Sequence, residues 1–237
     1  MDDRTVALTS WRNDEFLRGD IRGVAVMFQG FNHRVRENGE PLEIELGNAG
    51  ILVVSPYYGP WSWMNRNARA FVDELLAAVY RRYGLSDDVP LISCGRSMGG
   101  CAALLYCRYG ARKPVGCMAQ YPVCDLFARF VEDPNPDSPP AYHHAFYGYS
   151  EPPEEILREH SPLHQAEFMP DIPYLFFHGT ADARVNKALH TDRMVQSLRR
   201  LGRDVTYIEI TGMKHGRNIP LSVYNRQYEF IVGLAKR

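Results

Sequence analysis

The sequence predicts an α/β domain built on a mostly parallel central sheet with helices on both faces, and three observations predict it. Short apolar runs recur at 23–28, 50–55, 90–94, 115–121, 172–177 and 205–210. Strands without polar alternation are buried on both faces, which is the condition of a parallel sheet. Amphipathic stretches lie between these runs, and 237 residues with 45% hydrophobic content are enough to fill one core of that kind.

Taken in order, residues 5–11 are expected to supply what antiparallel strand flanks the sheet. Strand 23–28 ends in the turn Gln29-Gly30-Phe31-Asn32, and 50–55 leads into Pro56-Tyr57-Tyr58-Gly59-Pro60-Trp61-Ser62-Trp63. Residues 65–83 read as a helix, because Ala68, Phe71, Val72, Leu75, Leu76 and Val79 fall on one face around Arg69, Asp73, Arg81 and Arg82. Strand 90–94 passes through a glycine-rich turn into a helix over 102–109, and 115–121 is the fourth strand. Helices over 187–201 and 223–234 follow the strands 172–177 and 205–210. The stretch 131–171 breaks the alternation with eight prolines. Prolines remove ladder donors and break helices, so irregular chain with one short helix at 153–159 is expected there. Its Tyr142, Phe146, Tyr147 and Tyr149 favour packing over disorder. No repeat or linker divides the chain, so 1–237 reads as a single domain with 131–171 inserted.

The chemistry starts at Gly95-Arg96-Ser97-Met98-Gly99-Gly100. Gly-x-Ser-x-Gly between a strand and a helix is a nucleophile elbow, which exposes its serine on a strained turn and needs small neighbours so that strand and helix can close. Ser97 is the candidate nucleophile. A serine hydroxyl needs a base, and the base an orienting acid. Asp182, in His178-Gly179-Thr180-Ala181-Asp182-Ala183-Arg184-Val185, and His215, in Lys214-His215-Gly216, both lie just past strand ends and in the order acid, then histidine. Asp125 also follows a strand and competes for the acid's place. The adjacency of consecutive strands favours Asp182. His33, His143, His144, His160, His164 and His190 read as surface or hydrogen-bonded structural residues, and His178 as a support for the acid loop.

With these residues in place, the chain resembles the α/β-hydrolase superfamily, most closely the prolyl oligopeptidase (S9-like) catalytic domain and the serine esterases, over residues 22–235. The resemblance implies an α/β-hydrolase fold in which Ser97, Asp182 and His215 form the catalytic triad and 131–171 is a cap over the site. It implies an oxyanion hole made by the backbone N–H of Met98 and a second donor from the turn after the first strand. In the oligopeptidase group a tyrosine hydroxyl serves there. Phe28 stands in its place and has none, so the Phe31 amide is assigned, with a Tyr57 or Tyr58 hydroxyl as the alternative. Tyr57, Tyr58, Trp61 and Trp63 are four large aromatics in seven residues on the active-site side of the sheet, and are expected to line a substrate pocket.

The function expected is hydrolysis of a small carboxylic ester through an acyl-enzyme, with no metal and no organic cofactor. A peptidase or aminoacyl-amide hydrolase is the runner-up, and a non-catalytic binding protein on the same fold the third reading. A net charge of −1 without a basic block points away from nucleic acid and anionic membranes. No apolar stretch is long enough to span a bilayer. Five cysteines, set mostly inside apolar runs, read as buried thiols of a reducing compartment, so a cytoplasmic location is expected. A small-molecule ester or short peptide-like substrate is the expected partner, and a homodimer stays open.

Overall fold

The computed structural model describes residues 1–31, 38–132, 138–216 and 218–236. The chain runs α1 (Asp3–Thr9), β1 (Ser10–Arg12), β2 (Gly23–Phe28), α2 (Pro41–Asn48), β3 (Ile51–Pro56), α3 (Arg66–Arg82), β4 (Leu91–Arg96), α4 (Met98–Tyr109) and β5 (Gly116–Gln120). Three short helices follow, α5 (Leu126–Glu132), α6 (Ser138–Phe146) and α7 (Pro153–Glu159), with a 3-10 turn at Pro162–Phe168. The chain continues through β6 (Tyr174–Gly179), α8 (Thr191–Arg200), β7 (Val205–Ile210) and α9 (Leu221–Leu234). The strands form one seven-stranded sheet in the order β1-β3-β2-β4-β5-β6-β7. Every pairing is parallel except that of β1 with β3.

The period-two alternation of the strands divides the core between the two faces of the sheet. In β4, Leu91 points into the layer packed under α3, α4 and α8, while Ile92 and Cys94 point into the layer under α2 and α9. Ser93 stays dry on the α4 side by donating its hydroxyl to the Ala103 carbonyl at 2.9 Å. All five cysteines are buried free thiols. Among the described residues, no helix is long and apolar enough to cross a membrane.

Three elements differ from the sequence expectation. Residues 5–11 do not form a strand throughout. They turn as α1, capped by the Asp2 side chain accepting from Thr5 N–H at 2.8 Å, before the three residues of β1. Helix α2 had no signal because eight residues hold too few apolar positions to show a period. Pro41 starts it, and the Glu43 carboxylate accepts from Glu40 N–H at 2.7 Å. The stretch 131–171 is mostly helical where described and not irregular. Four of its prolines start helices instead of breaking them: Pro139 and Pro140 fall in the first turn of α6, Pro153 opens α7, and Pro162 opens the 3-10 turn. A missing N–H costs nothing at those positions.

These inserted helices are fastened to the start of α3. Asn65 donates to the Ala145 carbonyl at 2.6 Å, Arg66 N–H donates to Tyr149 Oη at 2.8 Å, and Trp63 stacks on Tyr142 with centroids 5.1 Å apart. Glu159 accepts from both Arg66 and Arg69. Burial raises its carboxyl pKa, but those two hydrogen bonds outweigh burial and hold it down to about 2.

Candidate active site

Ser97 sits between β4 and α4 with φ 57° and ψ −123°. A non-glycine residue with positive φ costs on the order of 1–3 kcal/mol and persists only where its surroundings over-determine it. Here the backbone is tied on both sides. Ser97 N–H donates to the Gln120 carbonyl of β5 at 2.9 Å, and the Ser97 carbonyl accepts from the Gly100, Cys101 and Val123 amides. The motif's glycines are steric requirements of the same corner. A Cβ on Gly95 would stand 2.0 Å from the Gly99 carbonyl oxygen, and one on Gly99 would stand 2.2 Å from that of Phe28.

The loops after β6 and β7 are stitched together before they reach the serine. Thr180 N–H donates to Ile210 O, Ala181 N–H to Met213 O, and Gly212 N–H to Thr180 Oγ1. This brings Asp182 and His215 together from adjacent strands. His215 Nδ1 lies 2.7 Å from Asp182 Oδ2, and His215 Nε2 lies 3.1 Å from Ser97 Oγ. A carboxylate only accepts, so Nδ1 carries the proton and Nε2 faces the serine hydroxyl with its lone pair.

The Asp182 side chain is fully buried. Burial alone would raise its pKa, but hydrogen bonds from His178 and His215, and from the Val185 amide, hold it well below the usual carboxylate range. His178 is the part of this arrangement that the sequence showed only as a loop support. Its Nε2 lies 3.1 Å from both Asp182 Oδ2 and the Val185 carbonyl, and its Nδ1 lies 2.7 Å from Thr191 Oγ1. Both neighbours of Nε2 are acceptors, so Nε2–H is the donor and Thr191 donates to Nδ1. The spacing of four between His178 and Asp182 was the available signal. Tyr121, buried and at φ 36°, sets its ring against that of His215 at 4.6 Å.

Asp125 does not approach His215. Its Oδ1 accepts from the Phe127 and Ala128 amides at the start of α5, and its Oδ2 pairs with Arg193 at 2.9 Å. Of the other histidines, His190 is buried and accepts from the Cys124 and Asp125 amides through Nδ1, and His160 is buried between Phe146 and Tyr149. Burial depresses both, to about 4 and about 3. His143 and His144 are exposed, His164 lies 3.7 Å from Asp125, and His33 lies outside the described residues.

The residues assigned to the oxyanion hole lie at the same corner. Met98 is the first residue of α4, so its N–H has no acceptor within the helix. Gly30 packs on Ser97, since a Cβ built on it would stand 3.7 Å from Ser97 Cβ, and Phe31 follows it. The Phe31 ring packs against Trp61 and Trp63. Tyr58 is not placed to replace the missing hydroxyl, because its Oη donates to the Gln29 carbonyl at 2.7 Å. Trp63 is likewise a core residue and not a pocket wall: it is 2% exposed and stacked on Tyr142. An open cleft of about 270 Å³ is lined by Tyr57, Tyr58, Trp61, Asn65, Phe71 and His144, among others. Among the described residues no cluster of three or more His, Cys, Asp or Glu side chains is arranged to hold a metal.

Residues 65–237 match the model of the prolyl oligopeptidase family. No curated protein matches the chain. Among solved structures it is similar to a puromycin-hydrolyzing peptidase of Mycobacterium tuberculosis, with 19% identity, a TM-score of 0.70, and coverage of 91% of this chain and 34% of that one. It is similar to the acylaminoacyl peptidase of Pyrococcus horikoshii, with 15% identity, a TM-score of 0.76, and coverage of 96% and 39%. A lipase in its open form is 18% identical at a TM-score of 0.63, with coverage of 96% and 94%. The chain thus spans 34% and 39% of the lengths of these two peptidases, and at these identities the likenesses show the α/β-hydrolase fold.

Proposed function

Because this chain belongs to the prolyl oligopeptidase family, we propose that it is a serine hydrolase that transfers an acyl group from a short peptide-like amide to water. The observation that carries the reading is the continuous line from Asp182 Oδ2 through His215 to Ser97 Oγ, with contacts of 2.7 and 3.1 Å. His215 Nε2 takes the proton of Ser97 Oγ as that oxygen attacks the carbonyl carbon. Asp182 holds the imidazole tautomer and stabilises the imidazolium. The oxyanion of the tetrahedral intermediate is held by the Met98 and Phe31 amides, each contributing on the order of 3 kcal/mol. His215 then protonates the leaving amine, and water repeats the cycle on the acyl-enzyme.

Family membership favours the amide over the ester. The ester reading stays second on one observation, the apolar Phe28 at the position where the oligopeptidase resemblance calls for a tyrosine hydroxyl. We place the acyl side of the substrate in the aromatic cleft, where His144 of α6 stands edge-on to Trp61 at 5.9 Å, so that the inserted helices act as a cap and contribute to substrate choice. Comparing kcat/KM on aminoacyl-p-nitroanilides with that on matching p-nitrophenyl esters tests the assignment. Turnover of anilides supports peptidase-type chemistry, and turnover of esters alone returns the reading to an esterase. A protein inert to both substrates and to a fluorophosphonate is not a serine hydrolase.

A further inference from the structure

The two oxygens of the Asp182 carboxylate are used differently. Its Oδ1 accepts from the Arg184 and Val185 amides at 2.9 and 3.0 Å. Its Oδ2 serves two imidazoles at once, His215 Nδ1 at 2.7 Å and His178 Nε2 at 3.1 Å. A carboxylate offers about four lone-pair positions, and these four donors fill them. The Asp182 and His178 side chains are both fully buried, whereas that of His215 is 15% exposed.

His178 is fixed on its other edge as well. Thr191 Oγ1, at the start of α8, stands 2.7 Å from its Nδ1, and the Val185 carbonyl stands 3.1 Å from its Nε2. With two acceptors on Nε2 and a hydroxyl on Nδ1, the ring carries its proton on Nε2 and aims it at Asp182. An N–H donated to a carboxylate stabilises the negative charge and makes that oxygen a weaker partner for any second donor. In a dry interior the competition is not screened. What His178 takes from Oδ2 is therefore withheld from His215.

We propose that His178 is a positioning residue of the reaction, which holds Oδ2 of Asp182 and tempers its pull on the His215 ring, so that His215 can both take up and release a proton during turnover. It acts through Asp182 and touches no substrate. Its consequence for turnover rests on the proposed reaction of Ser97, but its coupling to His215 does not.

Other titratable and charged groups face these rings. Tyr121, after β5, sets its ring 6.4 Å from that of His178 and 4.6 Å from that of His215. His190, just before α8, lies within electrostatic range of His178 and is depressed to about 4, by burial first and then by Arg129. Arg129 donates to the Arg184 carbonyl, and Arg193 pairs with Asp125. Lys214 adjoins His215 in the chain. All of them stay when only His178 is replaced, so a difference between variants reports on His178.

The test compares His178→Phe and His178→Leu, which lose the donor, with His178→Gln, whose side-chain amide offers an N–H in place of Nε2–H. The ring ¹³Cε1–¹H resonance of His215, identified by its disappearance in His215→Gln, is followed against pH in each. Without the donor, Oδ2 is left to His215 alone and favours the imidazolium. The midpoint of the His215 titration is expected to rise by about 0.5 pH unit, roughly a threefold gain in proton affinity. The acid limb of kcat/KM should rise with it, and His178→Gln should bring both back. A midpoint that does not move when the donor is lost, or that moves equally in His178→Gln, overturns the proposal. A second arm reads the unaltered protein, where long-range ¹H–¹⁵N correlations show which ring nitrogen of His178 carries the proton. Nε2–H supports the proposal, and Nδ1–H overturns it because that tautomer cannot donate to Asp182. Neither arm depends on turnover. A chain that hydrolyses nothing but shows the shift keeps the coupling and loses the proposed function, whereas a good hydrolase with an unmoved midpoint loses the role of His178.

Discussion

The corner that carries Ser97 and the inserted helices are held in opposite ways. At the corner, one short motif supplies the small residues that the geometry requires: a Cβ on Gly95 or Gly99 would meet the carbonyl oxygen of Gly99 or of Phe28, and the strained Ser97 is tied to Gln120 and Val123 by backbone hydrogen bonds. The inserted helices α6 and α7 are held from far away in sequence. Asn65 reaches Ala145, Arg66 reaches Glu159, and Trp63 stacks on Tyr142. Local sterics leave a motif that can be read in the chain, whereas distant anchoring leaves only composition. The difference also separates their expected failures: damage to the corner should remove chemistry and spare the fold, and damage to the anchors should loosen the fold first.

The largest effect expected is that of Ser97→Ala. It should lower kcat by roughly 10⁶ while leaving the thermal melt near that of the unaltered protein, because the hydroxyl reacts and does not pack. A large drop in Tm accompanying the loss would blur the separation. Next comes Asp182→Asn, which keeps the loop's shape but leaves His215 in the wrong tautomer, for a loss of roughly 10⁴ in kcat. Asp125→Asn serves as its control. That carboxylate caps α5 and pairs with Arg193, so steady-state kinetics should show kcat close to normal.

Trp63→Ala moves to the other region. Truncating a buried tryptophan costs about 3–5 kcal/mol, and denaturant unfolding should report that loss while fluorophosphonate labelling of the folded fraction persists. The smallest effect is that of Glu159→Gln. The Glu159 carboxyl is held down to about 2 in the folded chain, against about 4.3 when unfolded. Its contribution is therefore complete above the unfolded value and is lost as pH falls through the folded one. Melts across pH should show the gap between the two proteins widest above about pH 5 and closing toward pH 2. A gap that stays constant over that range would remove Glu159 as an ionised anchor.

Strands β2, β3 and β6 were legible because a buried parallel strand must be a nearly unbroken apolar run, and α3 because a seventeen-residue helix repeats its apolar face several times. Helix α2 was not legible, since it is too short to repeat and is started by Pro41 and Glu43. The prolines of 131–171 were misread because proline opposes a helix interior but suits its first turn, and sequence alone does not say which position each will take. At the candidate site, chain order and strand ends located Ser97, Asp182 and His215 without contact information. Trp63 read as a pocket wall from composition, and its stacking on Tyr142 is what draws it into the core.

The central claim is that Ser97 is activated by His215. Labelling with a fluorophosphonate, followed by digestion and mass spectrometry, tests it most directly. The account predicts a single phosphonyl adduct on Ser97, and its loss in His215→Ala protein that melts like the unaltered chain. An adduct on another serine, or labelling of Ser97 that is as fast without His215 as with it, would contradict the account.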